Sequence, residues 1–278
     1  MQRIAAVIGT PDLTEKTLAI YSGDLATAFG KVAKLGYEGV ELMTRDPSQL
    51  DGSKIRYWLE HNHLELACLC SGHVYGEDGL GLVHPDRVIC RQAMDRLKSF
   101  VDFAAAYSGP GTFINIGRSR GPGYVNDPAG TLDGMELAFR EIADYAGPLG
   151  VHLVLEPINV HQANHIHTTQ DGIAMVKRVN RPNFGLMLDV YHMNIEDIDI
   201  YDSFREAADC CKYVHFSDNN RKWPGSAHLD FKQIVGVLNG IGYDGYVSLE
   251  ILPWPDSDTA ARSSIEFLRQ YIPKQGPH

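Results

Sequence analysis

The chain is 278 residues long, 44% hydrophobic and 22% charged, and its 25 basic against 35 acidic side chains leave a formal net charge of −10. That balance speaks against a nucleic-acid partner, because phosphate binding takes a basic footprint. No run of 18 apolar residues offers a membrane span. The length suits one domain, residues 1–278, since α/β barrels commonly run to about 250 residues undivided.

The opening MQRIAAVIGTPDL has too short an apolar stretch for a secretion signal and reads as a first strand, RIAAVI (3–8). Then come an amphipathic helix over 24–36, strand GVELM (39–43), a helix over 46–62, and strand LELACLC (64–70). A helix over 86–107 precedes strand TFINIG (112–117), and a helix over 130–150 precedes HLVLEP (152–157). The last three units are a helix over 168–180 with FGLMLDV (184–190), a helix over 201–210 with KYVHFSD (212–218), and a helix over 230–242 with YVSLEI (246–251); a helix over 258–272 closes the chain. Gly36, Gly150 and Gly242 stand where C-cap glycines belong, and Asp230 and Ser203 where helices start. Eight strands in strict alternation with helices predict a single (β/α)8 TIM barrel. A doubly wound sheet would show fewer strands and a glycine-rich first turn, and IGTPD is not one. Two long connections, 71–85 and 117–130, follow strands and are expected at the barrel mouth. The five cysteines, Cys68, Cys70, Cys90, Cys210 and Cys211, are odd in number and lack zinc-site spacing. They read as reduced thiols of a cytoplasmic protein, with Cys68 and Cys70 in the core.

Barrel enzymes place their chemistry where strands end. Those ends carry Glu41, then His73, then Asn115 with Arg118 and Arg120, then Glu156 and Asn159, then Asp189 and His192, then His215, Asp218 and Arg221, and finally Glu250. The last four strands thus supply Glu156, Asp189, His215 and Glu250, each inside an apolar run: LVLEP, LMLDV, YVHF and VSLEI. Three carboxylates converging without a cation would repel until one took up a proton. Three oxygen donors and one imidazole suit Mn²⁺, Mg²⁺ or Co²⁺ better than structural zinc. His192, Arg221, His73, Asn115 and Glu41 are the candidates for touching substrate, Glu41 alternatively supporting the site from behind or sitting on the barrel floor. Arg118 and Arg120 are candidates for a substrate phosphate or carboxylate, or a solvated pair. His165 and His167 have the look of a metal pair, although in so long a loop they read as hydrogen-bonded residues.

LVLEPIN, LMLDVYHMN, VHFSDNNR and SLEI resemble the four metal-ligand segments of the xylose-isomerase-like (β/α)8 superfamily. They are most similar to its sugar epimerase and isomerase branch, which includes the ketose 3-epimerases and hydroxypyruvate isomerase. The likeness follows strand order through the whole chain and is strongest from residue 150 on. It implies a divalent metal, often Mn²⁺, on Glu156, Asp189, His215 and Glu250; substrate oxygens on His192 and Arg221; and a homodimer or homotetramer. One segment departs from the ketose 3-epimerase pattern: in EPINVHQANHIH, Val160 stands where an Arg is usual and Gln162 near the usual second Glu.

The resulting expectation is an isomerase acting on a sugar or sugar-derived keto substrate. It would abstract a proton α to a carbonyl to form an enediolate, with Glu156 and Glu250 as the acid–base pair. Two-metal hydride transfer fits less well, because only four ligands stand out. A metal-dependent lyase or dehydratase on the same scaffold is the alternative. A multi-zinc nuclease would want more histidines than His73 and His84 and a basic face, and a sugar-binding protein would not need these carboxylates.

Overall fold

The computed structural model describes residues 2–14, 18–108 and 111–274. Eight parallel strands form the barrel: β1 (Arg3–Gly9), β2 (Gly39–Met43), β3 (Glu65–Cys70), β4 (Phe113–Ile116), β5 (His152–Leu155), β6 (Phe184–Asp189), β7 (Cys211–Phe216) and β8 (Tyr246–Leu249). Each pairs with the next, and β8 returns to β1 through Arg3–Tyr246 to Ala6–Leu249, which closes the sheet and removes its edges. A two-residue strand, Tyr21–Ser22, lies beside the upper end of β1. The register shifts at Val40/Glu41 and at Leu186/Met187, the local irregularities by which a closed barrel re-aims a side chain.

Alternation sorts the side chains. Ala5, Cys68, Val154, Met187, Tyr213 and Tyr246 fill the lower barrel interior, and Val7, Met43 and Cys70 pack above. Outward residues such as Ile4, Leu42, Leu69, Leu153, Leu188 and Val214 bury against the helix ring. Each such burial contributes about 1.5–3 kcal/mol, which makes the shell stiff enough to hold charges in its mouth.

The helices are α1 (Leu25–Leu35), α2 (Gly52–Asn62), α3 (Gly72–Gly76), α4 (Arg87–Tyr107), α5 (Pro128–Ala146), α6 (Thr169–Val179), α7 (Val190–Glu196), α8 (Ile200–Glu206), α9 (Phe231–Gly240) and α10 (Ser257–Leu268). Most start at an aspartate whose side chain accepts a backbone N–H of the first turn, as Asp24, Asp51, Asp230 and Asp256 do. Gly36 and Gly150 take the left-handed conformation that closes α1 and the turn after α5, and Gly242 does so just past α9. Ser203 is not a helix start. It lies inside α8, which Asp199 caps by accepting from Tyr201 and Asp202. Two helices were not expected from the pattern: α3, inside the 71–85 connection, and α7, which begins directly after Asp189.

Those two long connections are not loose. Leu82 and Val83 donate to the carbonyls of Ser119 and Arg120, Gly123 donates to Val83, and the Ser71 and Ser119 hydroxyls lie 2.7 Å apart. The pair forms one stapled wall over the barrel mouth. Among the described residues no helix is long and apolar enough to cross a membrane.

Candidate metal centre and active site

The register brings the expected quartet together. Asp189 pairs with His215 across β6 and β7, and Glu156 and Glu250 follow the last residues of β5 and β8. One ligand atom from each of Glu156, Asp189, His215 and Glu250 lies within 4.8 Å of the others, all four buried. His215 Nδ1 stands 3.8 Å from Glu156, 4.0 Å from Asp189 and 3.7 Å from Glu250. Nδ1 is buried and has no hydrogen-bond partner. A buried nitrogen aimed at three carboxylates, with the donors at this mutual spacing, fits one divalent cation held by bonds of about 2.0–2.6 Å.

The side chains of the quartet are held from behind. Glu41 is fully buried, and its Oε2 lies 2.9 Å from His215 Nε2, fixing which ring nitrogen faces the carboxylates. Asn115 Nδ2 donates to Glu156 Oε2 at 2.9 Å. Asp189 spends Oδ1 on the Tyr191 N–H at 2.9 Å, the start of α7, and turns Oδ2 into the site, where it meets Arg221. Asn115, a substrate candidate, and Glu41, with support from behind as its alternative, therefore sit behind Glu156 and His215. A cavity of about 170 Å³ above the quartet is lined by His73, Arg118, Gln162, His192 and Arg221 together with Glu156 and Glu250. That is below the ~300–1,000 Å³ of drug-sized sites and suits a small, polar ligand. Larger clefts of about 770 and 870 Å³ lie elsewhere, one at the opposite end of the barrel and the other beside α2, but the four converging side chains are at neither.

Residues 29–271 match the xylose isomerase-like TIM barrel family. The chain belongs to that family. Among its curated relatives is an L-ribulose 3-epimerase of Methylomonas sp. (strain DH-1), 28% identical across 90% of this chain and 94% of that protein. A ketose 3-epimerase of Arthrobacter globiformis is 29% identical across 79% and 75%. A solved D-allulose 3-epimerase from Methylomonas sp., crystallised with D-allulose, superposes with a TM-score of 0.80 at 26% identity, covering 98% of each chain. These place the chain in the sugar isomerase and epimerase branch, a group of isomerase-class enzymes. An AP endonuclease, family 2, from Brucella melitensis shares the fold at TM-score 0.77 and 20% identity, over 97% of this chain and 99% of that one. No second group of metal-binding side chains exists among the described residues, and His84 is engaged with Asp86 and Cys90 away from the quartet.

The charges at this family site are answered unequally. Arg221 Nη1 donates to Asp189 Oδ2 at 2.5 Å, and its Nη2 donates to Glu250 Oε2. Its backbone is left-handed (φ 62°) in the loop after β7. That loop hangs on Asp218, whose carboxylate accepts the N–H groups of Asn219, Gly225, Ala227 and Leu229 at 2.9–3.1 Å. Burial, with Glu250 beside it, pushes Glu156 up to about 7, and burial also raises Glu250. Burial alone would raise Asp189, but Arg221, His192 and His215 outweigh it and hold it low. Burial opposes a charge on His215, yet Glu41 and Glu250 outweigh it and lift the ring to about 10.

His192 lies with Nε2 3.8 Å from both Glu156 and Asp189. Asn159 Oδ1 accepts the His161 N–H at 3.0 Å, so its Nδ2 faces His192 Nδ1 at 2.7 Å. Nδ1 is thus an acceptor, and the proton is on Nε2, aimed at the cavity. Burial pushes His192 down to about 3, so it meets a ligand as a neutral donor. His73 reaches the cavity while held by Glu77 at 3.1 Å.

Arg120 is not an anion site. It is fully buried and donates to the carbonyls of Gly117, Glu156, His165 and Ile166, tying the loop after β5 to the turn after β4. His167 Nδ1 bonds the Ile158 carbonyl at 2.8 Å, and neither His165 nor His167 joins the quartet. All five cysteines are free. Sequence reading passed over Gly117: a Cβ there would lie 2.8 Å from Glu156 Oε2, so its lack of a side chain makes room for the carboxylate. Nothing local in the sequence marks it.

Proposed function

We propose that this protein is a divalent-metal-dependent sugar epimerase or isomerase that moves a proton α to a carbonyl, with Glu156 and Glu250 as the acid–base pair. The observation that carries the reading is the buried Glu156–Asp189–His215–Glu250 group at the open end of the barrel, in a chain of this family. A cation there, with Mn²⁺ the first choice and Mg²⁺ or Co²⁺ alternatives for this donor set, supplies Lewis-acid polarisation of the substrate carbonyl.

The side chains do the rest. Glu156 and Glu250 approach the cavity from non-adjacent strands, so a flat substrate between them has a carboxylate over each face. One removes the proton and the other returns it, which inverts the carbon in an epimerisation. Transfer to the neighbouring carbon from the same face would give an aldose–ketose isomerisation. Without a cation, burial lifts both carboxyls, Glu156 to about 7, and a bound divalent ion would lower them again. His192 Nε2–H and the Arg221 guanidinium supply donors for the oxygens on which negative charge develops.

A keto-sugar lyase would start with the same abstraction, but the family relatives named epimerases favour isomerisation. Metal content and product mass test this together. The expected result is one divalent ion per chain, loss of turnover after exhaustive chelation with return on adding Mn²⁺, and product of unchanged mass from a ketose. Full activity in metal-free protein, or a product lighter by one water, would overturn it.

A further inference from the structure

Among the described residues, four side chains that can carry positive charge line the cavity: His73, Arg118, His192 and Arg221. His73 is held by Glu77, His192 gives Nδ1 to Asn159 and turns Nε2 toward the quartet, and Arg221 is paired with Asp189 and Glu250. Arg118 is different. It is exposed, and its side chain makes no hydrogen bond or ion pair among the described residues, its guanidinium lying 5.9 Å over the Tyr75 ring and against Gly76 of α3. Among the described residues the only acidic side chains lining this cavity are Glu156 and Glu250 of the quartet, and Gln162, on the opposite loop, is neutral. A free cation at the mouth of a cleft in a chain of net charge −10 is a local exception that attracts anions.

We infer that Arg118 is a specificity residue which selects a substrate carrying a carboxylate at the end away from the quartet: a keto sugar acid rather than a neutral ketose. The inference deepens the proposed isomerase reading. A carboxylate is favoured over a phosphate because a single planar fork matches two carboxylate oxygens. A phosphate dianion calls for several donors, and the neighbouring Arg120 is consumed by four backbone carbonyls. The stapled wall of α3 and the turn Arg118–Arg120 holds the guanidinium at the rim while leaving its donors open.

Two comparisons test this. Calorimetric binding of gluconate, glucitol and glucitol 6-phosphate to the metal-loaded protein at low salt should favour gluconate over glucitol by roughly 10–100-fold, the worth of a charge-assisted hydrogen-bond pair. Arg118→Ala should erase that preference and Arg118→Glu reverse it, while Arg118→Lys keeps part of it. Equal binding of gluconate and glucitol, or a preference that survives in Arg118→Ala because the carboxylate sits on the metal instead, would overturn the assignment. Stronger binding of glucitol 6-phosphate would overturn the choice of carboxylate. In turnover, the kcat/KM ratio of a keto acid to its neutral ketose should fall by a similar factor in Arg118→Ala. The binding probes have no aldehyde or ketone group and do not react, so they judge this subsite whether or not the isomerase reading holds.

Discussion

Glu41 Oε2 lies 2.9 Å from Nε2 of His215, two residues 174 positions apart in sequence and joined only across the closed barrel. The contact fixes the imidazole so that Nδ1, unpartnered and buried, faces three carboxylates. A carboxylate behind a ligating histidine typically contributes about 10–100-fold to metal affinity. Glu41→Gln should therefore weaken Mn²⁺ binding by that order in a calorimetric titration while leaving the circular dichroism spectrum unchanged. Wild-type affinity in this variant would show that the contact is only structural.

Gly117→Ala tests the space beneath Glu156. The added methyl carbon would meet Glu156 Oε2 at 2.8 Å, and Ile158 stands 3.3 Å away. The carboxylate must move, and kcat should fall by roughly two orders of magnitude, since about 1 Å of misplacement costs that much. Gly236→Ala is the matching control: its Cβ would meet nothing within 4 Å, on the exposed side of α9. It should stabilise the fold by about 0.5–1 kcal/mol through helix propensity, read as a small rise in melting temperature with activity kept.

Asp218 carries the Arg221 loop through four backbone donors, Oδ1 serving Asn219 and Leu229 and Oδ2 serving Gly225 and Ala227. Asp218→Ala strands all four and should cost on the order of 3 kcal/mol in urea unfolding, with a fall in kcat/KM as Arg221 loses its place. Asp218→Asn retains the Oδ1 pair and should fall between. A variant with lowered stability but unaltered kinetics would separate the loop from the site.

The acid limb of stability should come from the helix caps. Asp24, Asp51 and Asp256 are held below the usual carboxylate range, Asp24 by the Thr27 hydroxyl and both others first by a backbone N–H of the capped turn. Depressed folded values mean that this stability is complete above the unfolded value of about 3.9 and is lost as pH falls through the folded ones. As pH falls from about 7 to 4, buried His192, held low, loses stability and Glu156, held high, gains it, so the cap contribution is read below roughly pH 4, where replacing the three aspartates by asparagine should make the fall in melting temperature shallower. An acid limb unchanged by the replacements would assign it to other groups.

The barrel was legible because strand and helix periods alternate cleanly and every barrel strand lies where an apolar run predicts it. The quartet was legible for a related reason: a charge inside LMLDV or VSLEI is an anomaly visible within a few residues. What escaped depends on distance or on a local choice between equals. The run VYHM suits strand and helix alike, so the start of α7 on Asp189 shows only in space. Glu41 could not be assigned to His215 from positions so far apart. Arg118 and Arg120 share one short turn and look interchangeable, yet one is wholly spent on carbonyls and the other stands open at the mouth. Ser203 lost to Asp199 because both are good caps and only the chain's path decides which precedes the turn.

In the proposed reaction Glu156 and Glu250 move a proton α to a carbonyl. Solvent deuterium entry into a ketose or keto sugar acid, followed by NMR in D2O with metal content measured alongside, tests it most directly. Metal-loaded wild type should incorporate one deuterium at the carbon next to the carbonyl. Glu250→Gln and Glu156→Gln, at matched metal content, should each slow that entry by roughly 100-fold or more. Wild-type exchange in either metal-loaded variant, or turnover without any deuterium entering, would contradict the account.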